Sequence, residues 1–292
     1  DFQVFDTENP ACSVESVPVS VNDRTRFIYE AACCGLRDFF VKNGYKKACV
    51  GVSGGIDSAV VACLAVAALG AENVRGLMMP SQFSSEGSVE DAKQLAENLG
   101  IEFHVVPITE AYRSIVDTLI PVIGGTDFDA TEENIQSRIR TLMLMALQNK
   151  NGYVLLNCSN KSENALGICT LYGDTGGAFS VTGDLYKTEM YDLARYINRK
   201  FGAPIPENIL TKEPSSELRP NQKDSDMLPS YEVVDAILYR LIEDGQSREE
   251  IINAGFDSDE VQKIYAMVMR NEKKRFQYPP VLRLSSSSFG HE

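Results

Sequence analysis

Two rhythms of apolar residues run along this chain. Between Thr25 and Asn43, the residues Phe27, Ala31, Cys34, Phe39 and Phe40 recur at helical spacing. After that, short apolar runs alternate with longer amphipathic ones. Ala48–Val52, Val74–Met79, Phe103–Val106 and Tyr153–Cys158 read as buried strands. Asp57–Leu69, Ser88–Asn98, Glu110–Leu119 and Thr131–Asn149 read as helices, with Gly100 ending the second and Thr131 as the N-cap of the last. Beyond Lys187 the strand rhythm fades. Helices are expected at Thr188–Lys200, Tyr231–Glu243, Arg248–Ala254 and Ser258–Glu272.

Strands that alternate with helices predict an α/β fold, a doubly wound and mainly parallel sheet covered on both faces, followed by a helical C-terminal portion. Right-handed crossovers bring the strand-to-helix loops to one sheet edge, so the loops after Val52, Met79 and Cys158 should share a cleft. Residues 1–24 read as an irregular segment, 25–284 as the folded domain and the Ser-rich 285–292 as a flexible tail.

Composition narrows the function classes. The chain has 292 residues, 43% hydrophobic and 24% charged, which is enough apolar side chain to build a core and excludes a disordered chain. A net charge of −13 argues against general nucleic-acid binding but leaves room for a phosphorylated small molecule in a local cationic pocket. The longest apolar stretch, Ala59–Leu69, is well short of the ~20 residues that span a bilayer, so no membrane association is expected. Seven scattered cysteines without a CxxC pair, and only His104 and His291, argue against zinc and for reduced thiols in a cytoplasmic protein. No targeting segment is read at the start.

The most informative stretch is Val50-Gly51-Val52-Ser53-Gly54-Gly55-Ile56-Asp57-Ser58, between a predicted strand and a predicted helix. Gly54 and Gly55 allow a tight turn, and the helix N-terminus behind them favours an anion. Asp57 suits an anion site only with a cation between it and the phosphate, which suggests Mg²⁺. A plain Ser/Gly turn with Asp57 at the helix start would use the same residues.

This loop resembles the SGGxDS loop of the N-type ATP pyrophosphatases. Further along come Glu133-Asn134-Ile135-Gln136-Ser137-Arg138-Ile139-Arg140, Asn160-Lys161-Ser162-Glu163, Leu171-Tyr172-Gly173-Asp174 and Gly183-Asp184-Leu185-Tyr186-Lys187-Thr188. With Glu213–Pro220 and Lys274–Pro280, the series resembles the NAD synthetase family over about residues 25–284, and more closely the synthetase half of its glutamine-dependent form.

The resemblance implies an adenine nucleotide alpha hydrolase-like fold and ATP-dependent amidation of deamido-NAD through an acyl-adenylate, with release of AMP and pyrophosphate. It implies ATP contacts from Ser53, Gly54, Gly55, Asp57, Ser58, Lys187 and Ser215, with Asp57 and Lys187 catalytic. Asp57 and Glu163 would hold Mg²⁺, and Asn134, Arg138, Glu163 and Lys274 would contact deamido-NAD. Pro80–Glu86 would line the adenosine pocket. It also implies a homodimer or larger homo-oligomer, with ammonia used directly or delivered from a nitrilase-like glutaminase domain for which the residues before Ser53 are too few.

Bland readings stand beside these. Glu163 alone could be a first-turn carboxylate stabilised by a helix dipole, and Arg138 and Arg140 could be solvated helix surface. Arg140, six residues from Asn134, should lie away from the Asn134–Arg138 face. Lys187 at a helix start is an unfavourable place for a cation, which tilts it toward function. The ammonia-only enzymes have an ATP-contacting threonine where Cys158 falls, and Cys158 reads as strand core. Two alternatives compete: another N-type ATP pyrophosphatase such as a tRNA-modifying enzyme, disfavoured by the acidity, and a non-catalytic ATP-binding regulator.

Overall fold

The computed structural model describes residues 24–124, 127–220 and 222–289. The expected irregular segment lies outside these residues except for Arg24, which opens the first helix. His291 also lies outside them.

The strand–helix alternation is as expected. In chain order come α1 (Arg24–Asn43), β1 (Lys47–Gly51), α2 (Ile56–Leu69), β2 (Val74–Met78), α3 (Glu86–Leu99), β3 (Glu102–Val105), α4 (Thr109–Ile123), α5 (Ala130–Asn151) and β4 (Tyr153–Asn157). Then follow α6 (Lys161–Leu166), β5 (Phe179–Ser180), α7 (Lys187–Phe201), α8 (Glu207–Thr211), α9 (Tyr231–Ile242), α10 (Arg248–Asn253), α11 (Ser258–Arg270) and α12 (Glu272–Arg275).

Among the described residues, five strands pair in the order β3-β2-β1-β4-β5, all parallel. The chain runs outward from β1 to β3, then returns to lay β4 on the other side of β1. Loops leaving β1 and β4 therefore diverge, which opens a crevice at the carboxyl end of the sheet. Register fixes two buried faces through the two-residue period of a strand. Ala48 and Val50 pack with Val154 and Leu156 against α1, α2 and α7, while Cys49, Leu77, Tyr153 and Leu155 pack against α4 and α5. The apolar α2 is buried along most of its length, as a helix without a polar face must be. No described helix is long and apolar enough to cross a membrane. A third cluster joins α6 to α9, α10 and α11 around Leu166, Leu238, Ile251 and Ile264.

Several expectations need correction. The N-cap of α5 is Asp129, not Thr131. Its carboxylate accepts the Thr131 amide at 2.6 Å, and Glu132 returns to accept the Asp129 amide at 2.9 Å. Helix α4 runs past Pro121 to Ile123 and ends at Gly124. The expected single helix from Ser258 breaks at Asn271, whose side-chain amide caps the ends of both α11 and α6 through Met267 O and Leu166 O. Strands β5 and helices α6 and α8 carry too few residues for a periodic signal. Residues 285–289, read as part of a flexible tail, are held where described: the Ser285 amide donates to Asp184 at 2.7 Å and the Ser287 amide to Glu243 at 3.0 Å.

Candidate active site

The turn after β1 builds one wall of a cleft. Gly54 has φ +79°, and a Cβ there would come within 2.2 Å of the Ser88 carbonyl oxygen, so both conformation and space demand glycine. The loop is tied by its own serines. Ser58 Oγ accepts the Ser53 amide at 3.1 Å, and Ser53 Oγ accepts the Gly55 amide at 3.2 Å. Gly55 caps α2 without a side chain, so the first amides of that helix have no side-chain acceptor from the cap, and Gly55, Ile56, Asp57 and Ser58 line the cleft.

Three charged side chains converge beside this loop, one of them its own Asp57. Lys187, the first residue of α7, is 3% exposed; its Nζ donates to Asp57 Oδ2 at 2.6 Å and to Glu163 Oε1 at 3.2 Å. Asp57 stands in the first turn of α2 and Glu163 in the first turn of α6. Asn160 joins them: its Nδ2 donates to Asp57 Oδ1 at 3.1 Å, and its Oδ1 accepts the Glu163 amide at 2.9 Å. Burial works against the charge on Lys187, but Asp57 and Glu163 outweigh it and hold the ammonium well above the ordinary lysine value. Burial pushes the Glu163 carboxyl up to about 7, with Lys187 pulling the other way. Its side chain keeps 24% exposure through the mouth of the cleft.

The cleft encloses about 310 Å³. The ends of β1, β2 and β4 form its floor, and residues 212–218 its roof. In the roof, Glu217 has φ +48° and its carboxylate accepts from Ser85 N, Ser85 Oγ and Ser88 Oγ at 3.2, 2.8 and 2.7 Å. Lys212 Nζ donates to Ser88 Oγ at 3.1 Å and Asp91 Oδ2 at 3.0 Å.

The NAD synthase family model matches residues 28–278. The chain belongs to the NAD synthase family. It is 52% identical over 265 residues to the glutamine-dependent NAD(+) synthetase of Aquifex aeolicus, covering 91% of this chain and 47% of that protein. The Thermotoga maritima protein of the same name is 47% identical over 270 residues, with 92% and 47% covered. The chain thus spans about half the length of these relatives. Among solved structures, the glutamine-dependent NAD+ synthetase of Acinetobacter baumannii in complex with ADP has a TM-score of 0.64 at 41% identity, covering 92% of this chain and 48% of that one. The NH3-dependent NAD synthetase of Campylobacter jejuni has a TM-score of 0.68 at 30% identity, covering 86% and 95%. The NMN synthetase of Francisella tularensis has a TM-score of 0.74 at 26% identity, also covering 86% and 95%.

Within this NAD synthase fold the sequence-predicted residues fall into two groups. Ser53, Gly55, Asp57, Ser58, Glu163, Lys187 and Ser215 line the one cleft, as do loops following β1, β2 and β4. Gly54 stands behind it, against α3. Ser215 is held in its own turn, its hydroxyl donating to Gln222 O at 2.6 Å. Asn134, Arg138 and Lys274 are not cleft-lining; they meet on one segment instead. Asn134 Oδ1 accepts from Thr170 Oγ1 at 2.6 Å, Arg138 Nε donates to Leu171 O at 3.2 Å, and Lys274 Nζ donates to Gly167 O and Cys169 O at 2.6 and 2.8 Å. Ser84 of the expected adenosine stretch Pro80–Glu86 also borders the cleft.

One reading is corrected and one extended. Arg140 does not lie on solvated surface: it borders the cleft, donates to Met79 O at 2.9 Å, and is drawn down to about 10 by burial. Cys158 packs against the main core as expected, but it lies one residue beyond β4 and also borders the cleft, where burial and the nearby Asp57 and Glu163 push its thiol up. Sequence reasoning also missed Lys212, Glu217 and Asp174 as cleft residues. Asp174 and Glu217 stood inside the quoted motifs, a signal that could have found them.

Proposed function

We propose that this chain carries out ATP-dependent amidation of the nicotinate carboxylate of deamido-NAD, forming NAD, AMP and pyrophosphate. The observation that carries this reading is Lys187 bridging Asp57 and Glu163 beside the Ser53–Ser58 turn. An anionic carboxylate resists attack by ammonia. Adenylation makes a good leaving group, and ammonia then displaces AMP from the acyl-adenylate. The departing pyrophosphate needs a preorganised cationic and amide-lined seat. In this reading the loop amides, Ser53 and Ser58 hold the phosphates, Lys187 turns from its carboxylates toward the leaving group, and Ser215 closes from the roof.

The donor set fits Mg²⁺. Asp57 and Glu163 offer hard carboxylate oxygens, and no cluster of three or more metal-binding side chains occurs among the described residues. Mg²⁺ commonly takes one or two carboxylates and completes its shell with phosphates and water. When bound, it would neutralise phosphate charge. Asp57 and Glu163 would hold it.

Asn134, Arg138, Glu163 and Lys274 are assigned to deamido-NAD; the convergence of three of them on residues 167–171 supports one common ligand wall. Ammonia is the nitrogen donor, supplied in the parent protein by a glutaminase domain. The glutamine-dependent names of relatives twice as long support that supply. A cytoplasmic homodimer completes the reading. Helix α4 buries no side chain fully and exposes Val122 and Ile123, which supports a partner surface.

Incubation with ATP, Mg²⁺, ammonia and deamido-NAD tests this. NAD, AMP and pyrophosphate in equal amounts are expected. Release of ADP, or turnover indifferent to the dinucleotide, overturns it. Nicotinate mononucleotide run in parallel separates the dinucleotide from the NMN synthetase type of substrate.

A further inference from the structure

One buried contact outside the cleft links two of the three helices that carry its charges. Helix α7 begins at Lys187, and the first amides of a helix have no partner within it. Here they are taken by side chains from two other elements. The Lys187 amide donates to Ser162 Oγ at 2.9 Å, and the Thr188 amide donates to Asp235 Oδ2 at 2.8 Å. Ser162 in turn donates its hydroxyl proton to Asp235 Oδ1 at 2.5 Å. Ser162 is fully buried and Asp235 is 5% exposed. A charge-assisted hydroxyl–carboxylate bond of this length is among the stronger ones.

Asp235 belongs to α9, in the helical C-terminal portion, and touches none of the cleft. Ser162 immediately precedes Glu163 on α6. One carboxylate therefore fixes the start of α7, which carries Lys187, against the start of α6, which carries Glu163. It also answers an electrostatic problem. A lysine in a first helical turn opposes the helix dipole, and an anion beneath that turn compensates.

We propose that Asp235, acting through Ser162, is a positioning residue that holds Lys187 in register with Glu163 and Asp57. This rests on the function proposed above, in which Lys187 meets the departing pyrophosphate. Transition-state stabilisation by a single point charge is sensitive to displacements on the order of 1 Å, which can cost about 100-fold in rate.

The test compares Asp235→Ala, Asp235→Asn, Ser162→Ala and the Ser162→Ala/Asp235→Ala double variant, with Ile264→Val as a destabilised control from the same helical core. The expected result is a kcat lower by about 10- to 100-fold for both alanine variants, with KM for ATP within about threefold of wild type. The double variant should lose no more than the worse single, because the two side chains act as one unit. Asp235→Asn keeps an acceptor for Thr188 and should retain most of the wild-type kcat. Ile264→Val should lower Tm and leave kcat unchanged. Wild-type kcat in Ser162→Ala and Asp235→Ala, with Tm lowered as in the control, overturns the proposal. If Asp235→Ala does not fold, Ser162→Ala decides by the same reading: a lowered kcat supports the proposal and wild-type kcat overturns it. A wild-type chain that makes no NAD refutes the proposed function; an active wild type with unaffected variants refutes only the positioning role.

Discussion

Lys187 is the side chain on which the cleft's charge balance turns. It is a buried ammonium between two carboxylates, so its removal leaves two anions facing each other at close range. Lys187→Met should lower kcat on the order of 100- to 1000-fold, the scale of losing one transition-state electrostatic contact. Glu163 should answer by keeping its proton, so the loss of Tm in this variant should be larger near pH 8 than near pH 6 in thermal scans. Glu163 in the wild type carries a second prediction. Its folded carboxyl is drawn up to about 7, above its ordinary value of 4.5, by burial. The folded state therefore binds the proton more tightly than the unfolded chain. The stability it contributes is complete below the ordinary value and is lost as pH rises through about 7. In metal-free buffer, Tm of the wild type should fall more between about pH 5 and about pH 7.5 than Tm of Glu163→Gln. These residues were legible as members of motifs. Their mutual contact was not, because sequence order says nothing of which side chain a buried lysine chooses.

The turn between β1 and α2 shows how much an element can be read from its own residues. Gly54 and Gly55 announced it, and the strand and helix on either side followed from apolar spacing. Gly54→Ala meets both a left-handed backbone and the Ser88 carbonyl. It should cost about 1–3 kcal/mol of stability and weaken ATP binding, measurable by denaturant unfolding and by calorimetric titration. Elements were legible where the period had room to repeat, as in α1, α2, α7 and β1 to β4. Two-residue β5 and five- or six-residue α6 and α8 exist because neighbours hold them, so no local signal marks them. Arg140 was misjudged for a similar reason. Counting along α5 placed it off the Asn134 face correctly, but only the sheet beneath shows that this other face borders the cleft.

Across the whole molecule, the C-terminal end is fastened to the site helix by a second buried lysine. Lys161 is fully buried, pairs with Asp184 at 3.0 Å and with Glu243, and donates to Ser285 Oγ at 2.8 Å and Ser287 O at 2.6 Å. Lys161→Ala strands two buried carboxylates and should destabilise the chain by about 3–5 kcal/mol, read from chemical denaturation. The parallel sheet with helices on both faces was legible in the alternation of segments; this fastening was not, because a serine run carries the composition of a loose end. The pairing of Lys187 with Asp57 has a final consequence. The two lie 130 residues apart in sequence, and Asn160 reaches Asp57 across 103. The glycine bend is a local product of one strand and one helix, whereas its counter-charges arrive only after the chain has doubled back past its starting strand. Contacts so distant must meet a large loop-closure entropy before they reward the chain. A partly folded chain would therefore hold the bend before it held the means to act there, and competence would emerge in a single step with the docking of β4 and α7.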